Sequence, residues 1–352
     1  MTTVYLIRHA EAEGNLYRRA QGHLDATITD RGYRQIAALA KRFADVPIDA
    51  VYSSDLTRTQ TTALSVTETH HLPLHTTRDL REIGVGAWED QTWAQIGYFE
   101  REKLVLFNTD IEKWHIKGGE DIDAVCERMM RALKTIIAEN PNRTVAVFSH
   151  GMALRTLIGT LQGLSTHEID STGHAENTAV TRLECDEDGI RVIYRDDASH
   201  LPDDLHTLGR QAWTKNKGGL EPGICFLPSG ADGHFDVYRE EKIIGAVCVG
   251  KCENGIAQIE EYWLEDDERG KGIGIQLVGQ ALSYARKHGC DTLSCEIPKS
   301  NAVGLKRVQE YGFTAAQETE ESVVFTKYFG YDEEYRLKKL QSTIEENEKL
   351  TK

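Results

Sequence analysis

Val4-Tyr5-Leu6-Ile7-Arg8-His9-Ala10-Glu11-Ala12-Glu13-Gly14-Asn15 is the stretch from which the fold is read. Four apolar residues that favour strands run straight into a guanidinium and an imidazole, so the polar pair stands at the carboxyl end of a buried strand. Ala50–Ser54 and Val145–Ser149 repeat the pattern, the second followed at once by His150. Between them lie helical periods: Thr29 is a good N-cap, with Ile36, Leu39, Ala40 and Phe43 recurring at helical spacing behind it, and Met152 to Leu161 reads as a helix. Strands alternating with helices over the first 200 residues predict an α/β unit with a mainly parallel sheet. Loops in such sheets converge at the strand carboxyl ends, where Arg8-His9, Ser53-Ser54 and Ser149-His150 fall.

A chain of 352 residues is long enough for two domains. The pattern breaks over 198–222 into a polar stretch, a short helix-like segment and Lys215-Asn216-Lys217-Gly218-Gly219. We place the boundary there, giving domains over 1–200 and 201–330. The second begins with an antiparallel pair, Phe235–Arg239 and Lys242–Gly250, joined at Glu240-Glu241. A strand at Ala257–Leu264, a helix over 271–288, a strand at Thr292–Ile297, a helix from Asn301 and a strand at Ser322–Tyr328 follow. Residues 331–352 are highly charged and read as a solvated helical tail.

Hydrophobic residues make up 40% and charged residues 28%, a globular composition, and no apolar run nears the roughly 20 residues that span a bilayer. Met1 leads directly into the first strand with no basic-then-apolar leader, so a cytoplasmic enzyme without a membrane partner is expected. The seven cysteines lie at irregular spacings without zinc-like pairs and read as reduced thiols, and no metal is expected. A net charge of −15 argues against general nucleic-acid binding. Any anionic ligand needs a local cationic pocket. Oligomeric state leaves no signature.

The first domain carries the groups that phosphoryl transfer requires. A phosphate monoester bears about −1.5 to −2 charges at neutral pH, which guanidinium forks match. Arg8 and Arg58 fit that role. A partly neutral imidazole can attack phosphorus, and His9 is the candidate nucleophile. His150 can donate to the equatorial oxygens, and Glu82 in Leu80-Arg81-Glu82-Ile83-Gly84 can protonate the leaving group. Trp88, Trp93, Tyr98, Phe99, Phe107 and Trp114 are core or pocket-capping residues.

With Gln21-Gly22-His23-Leu24-Asp25, Thr29-Asp30-Arg31-Gly32 and Val147-Phe148-Ser149-His150-Gly151 in order behind it, Arg8-His9-Ala10-Glu11-Ala12-Glu13-Gly14-Asn15 resembles the signature of the histidine phosphatase, or phosphoglycerate-mutase-like, superfamily. Ala10 stands where Gly is usual and Thr27 where Pro is. The resemblance covers residues 1–200. It implies an α/β/α three-layer fold, a covalent phosphohistidine on His9, and a phosphate pocket of Arg8, Asn15, Gln21, Arg58 and His150 with Glu82 as proton donor. A small phosphomonoester is the implied substrate. No basic run in 85–120 marks the mutase branch, which favours hydrolysis.

Arg269-Gly270-Lys271-Gly272-Ile273-Gly274 joins a strand to a helix. Successive glycines let backbone N–H groups approach an anion, and a helix start adds partial positive charge. With Asn301-Ala302-Val303-Gly304-Leu305 and Tyr311-Gly312-Phe313 downstream, the run resembles the GNAT acetyltransferase motif that holds the pyrophosphate of acetyl-CoA. That implies an α+β acyl-CoA N-acyltransferase fold over 222–328, with acetyl-CoA bound by residues 269–274 and Asn301. The family's frequent acid, a Tyr, falls on Val308. Tyr311 is the substitute, and Glu260 or Glu261 the candidate base, alternation allowing only one to face the site. The acceptor is unreadable, because the region before Phe235 is short for the first strand and helices that shape its pocket. The whole chain reads as a phosphomonoesterase joined to an acetyltransferase, or as a phosphatase regulated by a non-catalytic acetyl-CoA sensor, or as a mutase.

Overall fold

The computed structural model describes residues 1–210 and 223–350. Its first sheet is built from β1 (Thr2–Arg8), β2 (Ala50–Ser54), β3 (Leu74–Thr77), β4 (Thr144–Ser149), β5 (Val180–Asp186) and β6 (Gly189–Asp197), in the order β3-β2-β4-β1-β5-β6. The first four are parallel, and β5 and β6 run antiparallel. Alternation decides the layers. Val4, Leu6, Val145 and Val147 pack on one face against α6 (Ile122–Glu139) and α7 (Gly151–Leu161). Ile7, Val51, Ala146 and Phe148 pack on the other against α2 (Asp30–Phe43) and α3 (Thr57–His70). The result is the expected three-layer sandwich. Shorter helices complete it: α1 (Glu13–Tyr17), α4 (Trp93–Phe99), α5 (Arg101–Thr109) and α8 (Thr166–Ser171).

The second sheet holds β7 (Cys225–Pro228), β8 (His234–Arg239), β9 (Lys242–Val249), β10 (Ile256–Leu264), β11 (Thr292–Pro298), β12 (Thr314–Glu318) and β13 (Ser322–Tyr328). Their order is β12-β13-β11-β10-β9-β8-β7. Helices α9 (Gly274–Lys287) and α10 (Ala302–Glu310) flank it. β10 pairs in parallel with β11 only over Ile256–Ile259 and thereafter with β9 alone, so the sheet splits beyond Ile259. β7 and β8 are joined by residues 229–233 with no helix between them, which accounts for the shortness before Phe235. The segment Lys215–Gly219 lies outside the described residues.

The two units are welded. Tyr17 and Ala94 of the first belong to the apolar core of the second. Gly279 of α9 has Tyr17 where a β-carbon would lie, at 2.6 Å, so glycine is what allows α1 and α9 to touch. Around that contact Arg286 pairs with Glu13 at 2.7 Å, Lys287 with Asp90 at 2.9 Å, and Tyr17 donates to the Tyr311 carbonyl.

Two expectations need correction. The charged tail forms α11 (Glu333–Leu350), but it is not simply solvated: Leu340 is 3% exposed against Ile28, Tyr33 and Ile36, and Lys339 bridges Asp30 at 2.8 Å. Sparse apolar positions sufficed because α2 offers a matching stripe. Cys252 and Cys290 form a disulfide, 38 residues apart in sequence, where reduced thiols are expected; β10, α9 and β11 fold the two positions together. Among the described residues no helix is long and apolar enough to cross a membrane.

The Glu13 carboxylate is 4% exposed and its second oxygen has no hydrogen-bond partner among the described residues, so Arg286 carries its neutralisation. Breaking a buried pair from one side costs roughly 3–5 kcal/mol. Arg286→Ala is therefore expected to melt well below the parent in scanning calorimetry, with Glu13→Gln added recovering part of the loss. An unchanged melting temperature would show that the pair does not hold the interface.

Candidate active site

His9 leaves β1 on a backbone N–H bonded to the Ser149 carbonyl, which brings the ends of β1 and β4 together. Its Nδ1 lies 2.7 Å from the Ala10 carbonyl oxygen and donates to it, which leaves Nε2 with its lone pair. Burial first, then Arg58 and Arg8, hold this imidazole well below its usual 6.5, so it is neutral at pH 7. His150 stands opposite, the ring centroids 5.3 Å apart. Its Nδ1 accepts from Arg58 Nε at 3.2 Å, which puts the proton on Nε2, and that buried atom has no partner among the described residues. Burial, then Arg58 and His9, keep His150 neutral as well.

Arg58 is fully buried on the first turn of α3, where Asp25 caps Thr57 N at 2.8 Å. It donates to the Gly22 and Leu24 carbonyls, both at 2.8 Å, and has no carboxylate partner within ion-pair reach among the described residues. Glu89 gathers the N–H groups of Gly22, His23 and Leu24 and so shapes the loop Arg58 holds. Arg8 donates to the Ala175 carbonyl, and its Nε is buried and has no partner among the described residues. Glu82 sits at the start of α7, its carboxylate accepting from Met152 N at 3.1 Å and Ala153 N at 2.9 Å. Asn15 turns its Oδ1 back onto Ala12 N, and Gln21 joins Arg8, His9, Asn15 and Glu82 in lining a cavity of about 180 Å³. Five of the seven predicted phosphate-site residues thus line this cavity, and the other two, Arg58 and His150, lie behind it, bonded to each other with the His150 ring against His9.

It also adds residues the sequence did not announce. Arg18, Arg19, Asn108 and His174 line the same cavity. Burial, then Arg155 and Arg8, push His174 down to about 4. Asn177, fully buried, donates to the His9 carbonyl at 2.8 Å. Arg128 donates to the carbonyls of Asp79, Arg81 and Glu82 while pairing with Glu120, fixing the segment that presents Glu82. The aromatic set divides: Trp93 and Phe107 line the cavity, Trp88 and Trp114 are core, Tyr98 donates to the Glu240 carbonyl of the second domain, and Phe99 is exposed.

In the second domain, Gly270 and Gly272 take φ of +78° and +77°, with open space where a β-carbon would be. Buried Ile273 precedes α9, Lys271 pairs with Glu268 at 3.3 Å, and Arg269 with Asp266 at 2.8 Å. Arg239 braces the loop from below through two bonds to Glu268. Asn301 caps α10, its Oδ1 accepting from Gly304 N at 2.8 Å, so one of its polar atoms serves the helix. The Tyr311 hydroxyl lies over Gly274, hydrogen-bonded to that of Tyr262, a residue the sequence reading missed. Burial raises both phenols, so both stay protonated. Alternation does not choose between Glu260 and Glu261, because the register shifts between Ile259 and Glu261. Glu260 lies beside Gly250, Glu261 lies 3.9 Å from His234, and both press electrostatically on Cys248. A bulge adds a residue and cancels the two-residue period.

The family model for the histidine phosphatase superfamily (branch 1) matches residues 4–197, and that for the acetyltransferase (GNAT) family matches residues 197–313. The probable phosphoglycerate mutase GpmB of Yersinia pestis (strain Pestoides F) is 34% identical over 167 residues, which cover 47% of this chain and 78% of that protein. Phosphoserine phosphatase 1 of Hydrogenobacter thermophilus is 29% identical over 208 residues, 57% of this chain and 90% of that protein. Among solved structures, YhfR of Bacillus stearothermophilus aligns with a TM-score of 0.55 at 30% identity, covering 57% of this chain and 99% of that one. A mycobacterial glucosyl-3-phosphoglycerate phosphatase complexed with VO3 aligns with a TM-score of 0.52 at 25% identity, covering 56% and 99%. Strand ends, paired imidazoles and family match agree: this chain belongs to the histidine phosphatase superfamily and carries a GNAT acetyltransferase domain behind it.

Proposed function

We propose that the chain is a bifunctional enzyme, a phosphomonoesterase over residues 1–200 and an acetyl-CoA-dependent acetyltransferase over 201–330, with 331–352 as a strap. The observation that carries the first activity is the pairing of two neutral, buried imidazoles with two guanidiniums that lack carboxylate partners among the described residues. A small phosphomonoester enters with its phosphoryl group between Arg8, Arg58 and His150. His9 Nε2 attacks phosphorus and the ester P–O bond breaks, while Glu82 gives its proton to the leaving oxygen. Glu82, now a carboxylate, takes a proton from water, which attacks the phosphohistidine and releases phosphate. His150 Nε2–H and Arg58 stabilise the charge on the equatorial oxygens. Asn15 and Gln21 lend polar contacts, and Asn177 fixes the His9 backbone.

The open cradle at Gly270 and Gly272 fits a pyrophosphate, with residues 269–274 and the α9 N-terminus as its binders. Acetyl-CoA, when bound, supplies the acetyl group for an amine or hydroxyl acceptor. Glu260 and Glu261 stand where the sheet splits and are the candidate bases; Tyr311, held protonated beside Tyr262, is the candidate acid. A second reading, a regulatory acetyl-CoA sensor, draws on the docking of α9 against α1 and on the buried Val308. The mutase named among the relatives is tested by phosphate exchange between two hydroxyls of one substrate.

His9→Ala is expected to abolish phosphate release from p-nitrophenyl phosphate, and Glu82→Gln to slow it about 10²–10⁴-fold while vanadate still binds. Substantial turnover by His9→Ala would sink the covalent route. Labelled acetyl transfer to a panel of amines decides the second activity: turnover supports an acetyltransferase, whereas binding without turnover supports the sensor.

The buried histidines also set an acid limit. A histidine whose folded pKa is depressed binds its proton more readily when unfolded, so its stabilisation is complete above pH 6.5 and is lost as pH falls. For His174 the loss runs from pH 6.5 towards about 4, at up to ~1.4 kcal/mol per pH unit, and His9 and His150 add slope of the same sign. Urea midpoints of the ligand-free protein are expected to fall steeply below pH 6.5; midpoints flat from pH 7 to 5 would contradict this.

A further inference from the structure

A second cavity, of about 310 Å³, lies where α2, β13 and α11 meet, away from both sites above. Its charge is unbalanced. Lys339 is neutralised by Asp30 at 2.8 Å, but Lys327 and Arg336 form no ion pair among the described residues. Lys327 is 8% exposed, and its ammonium makes no hydrogen bond there; its neighbour is the Tyr17 ring at 5.8 Å. Arg336 donates to Thr61 Oγ1 at 3.1 Å, yet its Nε is buried and unpartnered. A largely buried ammonium without an ion-pair partner is unfavourable, and a chain of net charge −15 has carboxylates in plenty with which to satisfy it. Among the described residues lining the cavity Asp30 is the carboxylate, and it is already paired with Lys339.

We infer that this interdomain cavity is a binding site for a small phosphate-bearing molecule, its phosphate held between Lys327 and Arg336. Two unmatched cations balance the roughly −1.5 to −2 charges of a phosphate monoester. Tyr328 and Tyr335, whose rings meet edge-on at 4.6 Å on the cavity wall, offer apolar faces to the organic part. The walls come from all three parts of the chain, so occupancy ties the strap to both domains. The site is distinct from the His9 pocket, which shares none of these residues. Burial lowers the Lys327 ammonium, and Glu13 and Asp30 oppose the shift without pairing with it, so an arriving dianion also secures its charge.

The test is equilibrium titration of the full chain with inorganic phosphate, set beside phosphate's competitive inhibition of p-nitrophenyl phosphate hydrolysis, which reports the His9 pocket alone. The parent is expected to bind one phosphate per chain more than Lys327→Met, with the inhibition constant unchanged. Arg336→Gln, on the partly exposed strap, is expected to weaken the same extra site at least tenfold and guards against misfolding of the buried variant. Equal phosphate stoichiometry and affinity in all three proteins would overturn the proposal.

Discussion

Arg58 is the constraint around which the first domain is organised. A guanidinium at 0% exposure with no carboxylate partner among the described residues has been stripped of water and given carbonyls and one imidazole nitrogen in return. Three consequences follow. The loop at Gly22–Leu24 must turn its carbonyls inward, and Glu89 collects its amides so that it can. His150 must carry its proton on Nε2, because Nδ1 is claimed. The remaining charge of Arg58 is what the proposed phosphate site would draw on. Glu82 is held to the same frame by different means, through Arg128 on its backbone and the first amides of α7 on its carboxylate.

The second domain is not an appendage. α9 begins at the glycine cradle and along its flank bears on α1, on Asp90 and, through Gln280, on Arg19 of the phosphate cavity. One rigid helix therefore touches both sites. Interdomain contacts of this kind, with a side chain of one unit buried in the core of the other, are closer to a shared core than to a linker between independent enzymes.

Much of this was legible in the sequence, for a physical reason. Strand ends are written locally: an apolar run followed by Arg-His or Ser-His places those groups without knowledge of the rest of the chain, and so Arg8, His9 and His150 were named from the residues, whereas Asn15 and Gln21 rested on the family resemblance. The residues that were missed act through long-range geometry. Asn177 and His174 reach the pocket from a loop before β5 that has no periodicity. Arg128 reads as one more polar position on a helix, and nothing local says that three carbonyls converge on it. Tyr262 lies beside a bulge, and a bulge is a one-residue event that alternation cannot register. The Cys252–Cys290 pairing and the docking of α11 depend on which surfaces meet, which composition does not record. Tyr311, named as the substitute acid, has its body in the core and its hydroxyl at Gly274.

The strap also bears on how the molecule is made. Ile28, Tyr33 and Ile36 belong to the first domain, yet the side chain that covers them, Leu340, is synthesised about 300 residues later. At about 5–20 residues per second, that is roughly 15–60 s during which a nascent phosphatase domain carries an uncovered apolar stripe on α2. The same stripe has an acidic neighbour, Asp30, whose partner Lys339 arrives equally late. The order of synthesis thus leaves the earliest domain unfinished until the strap has emerged, so that its last surface closes after the second domain has had time to form.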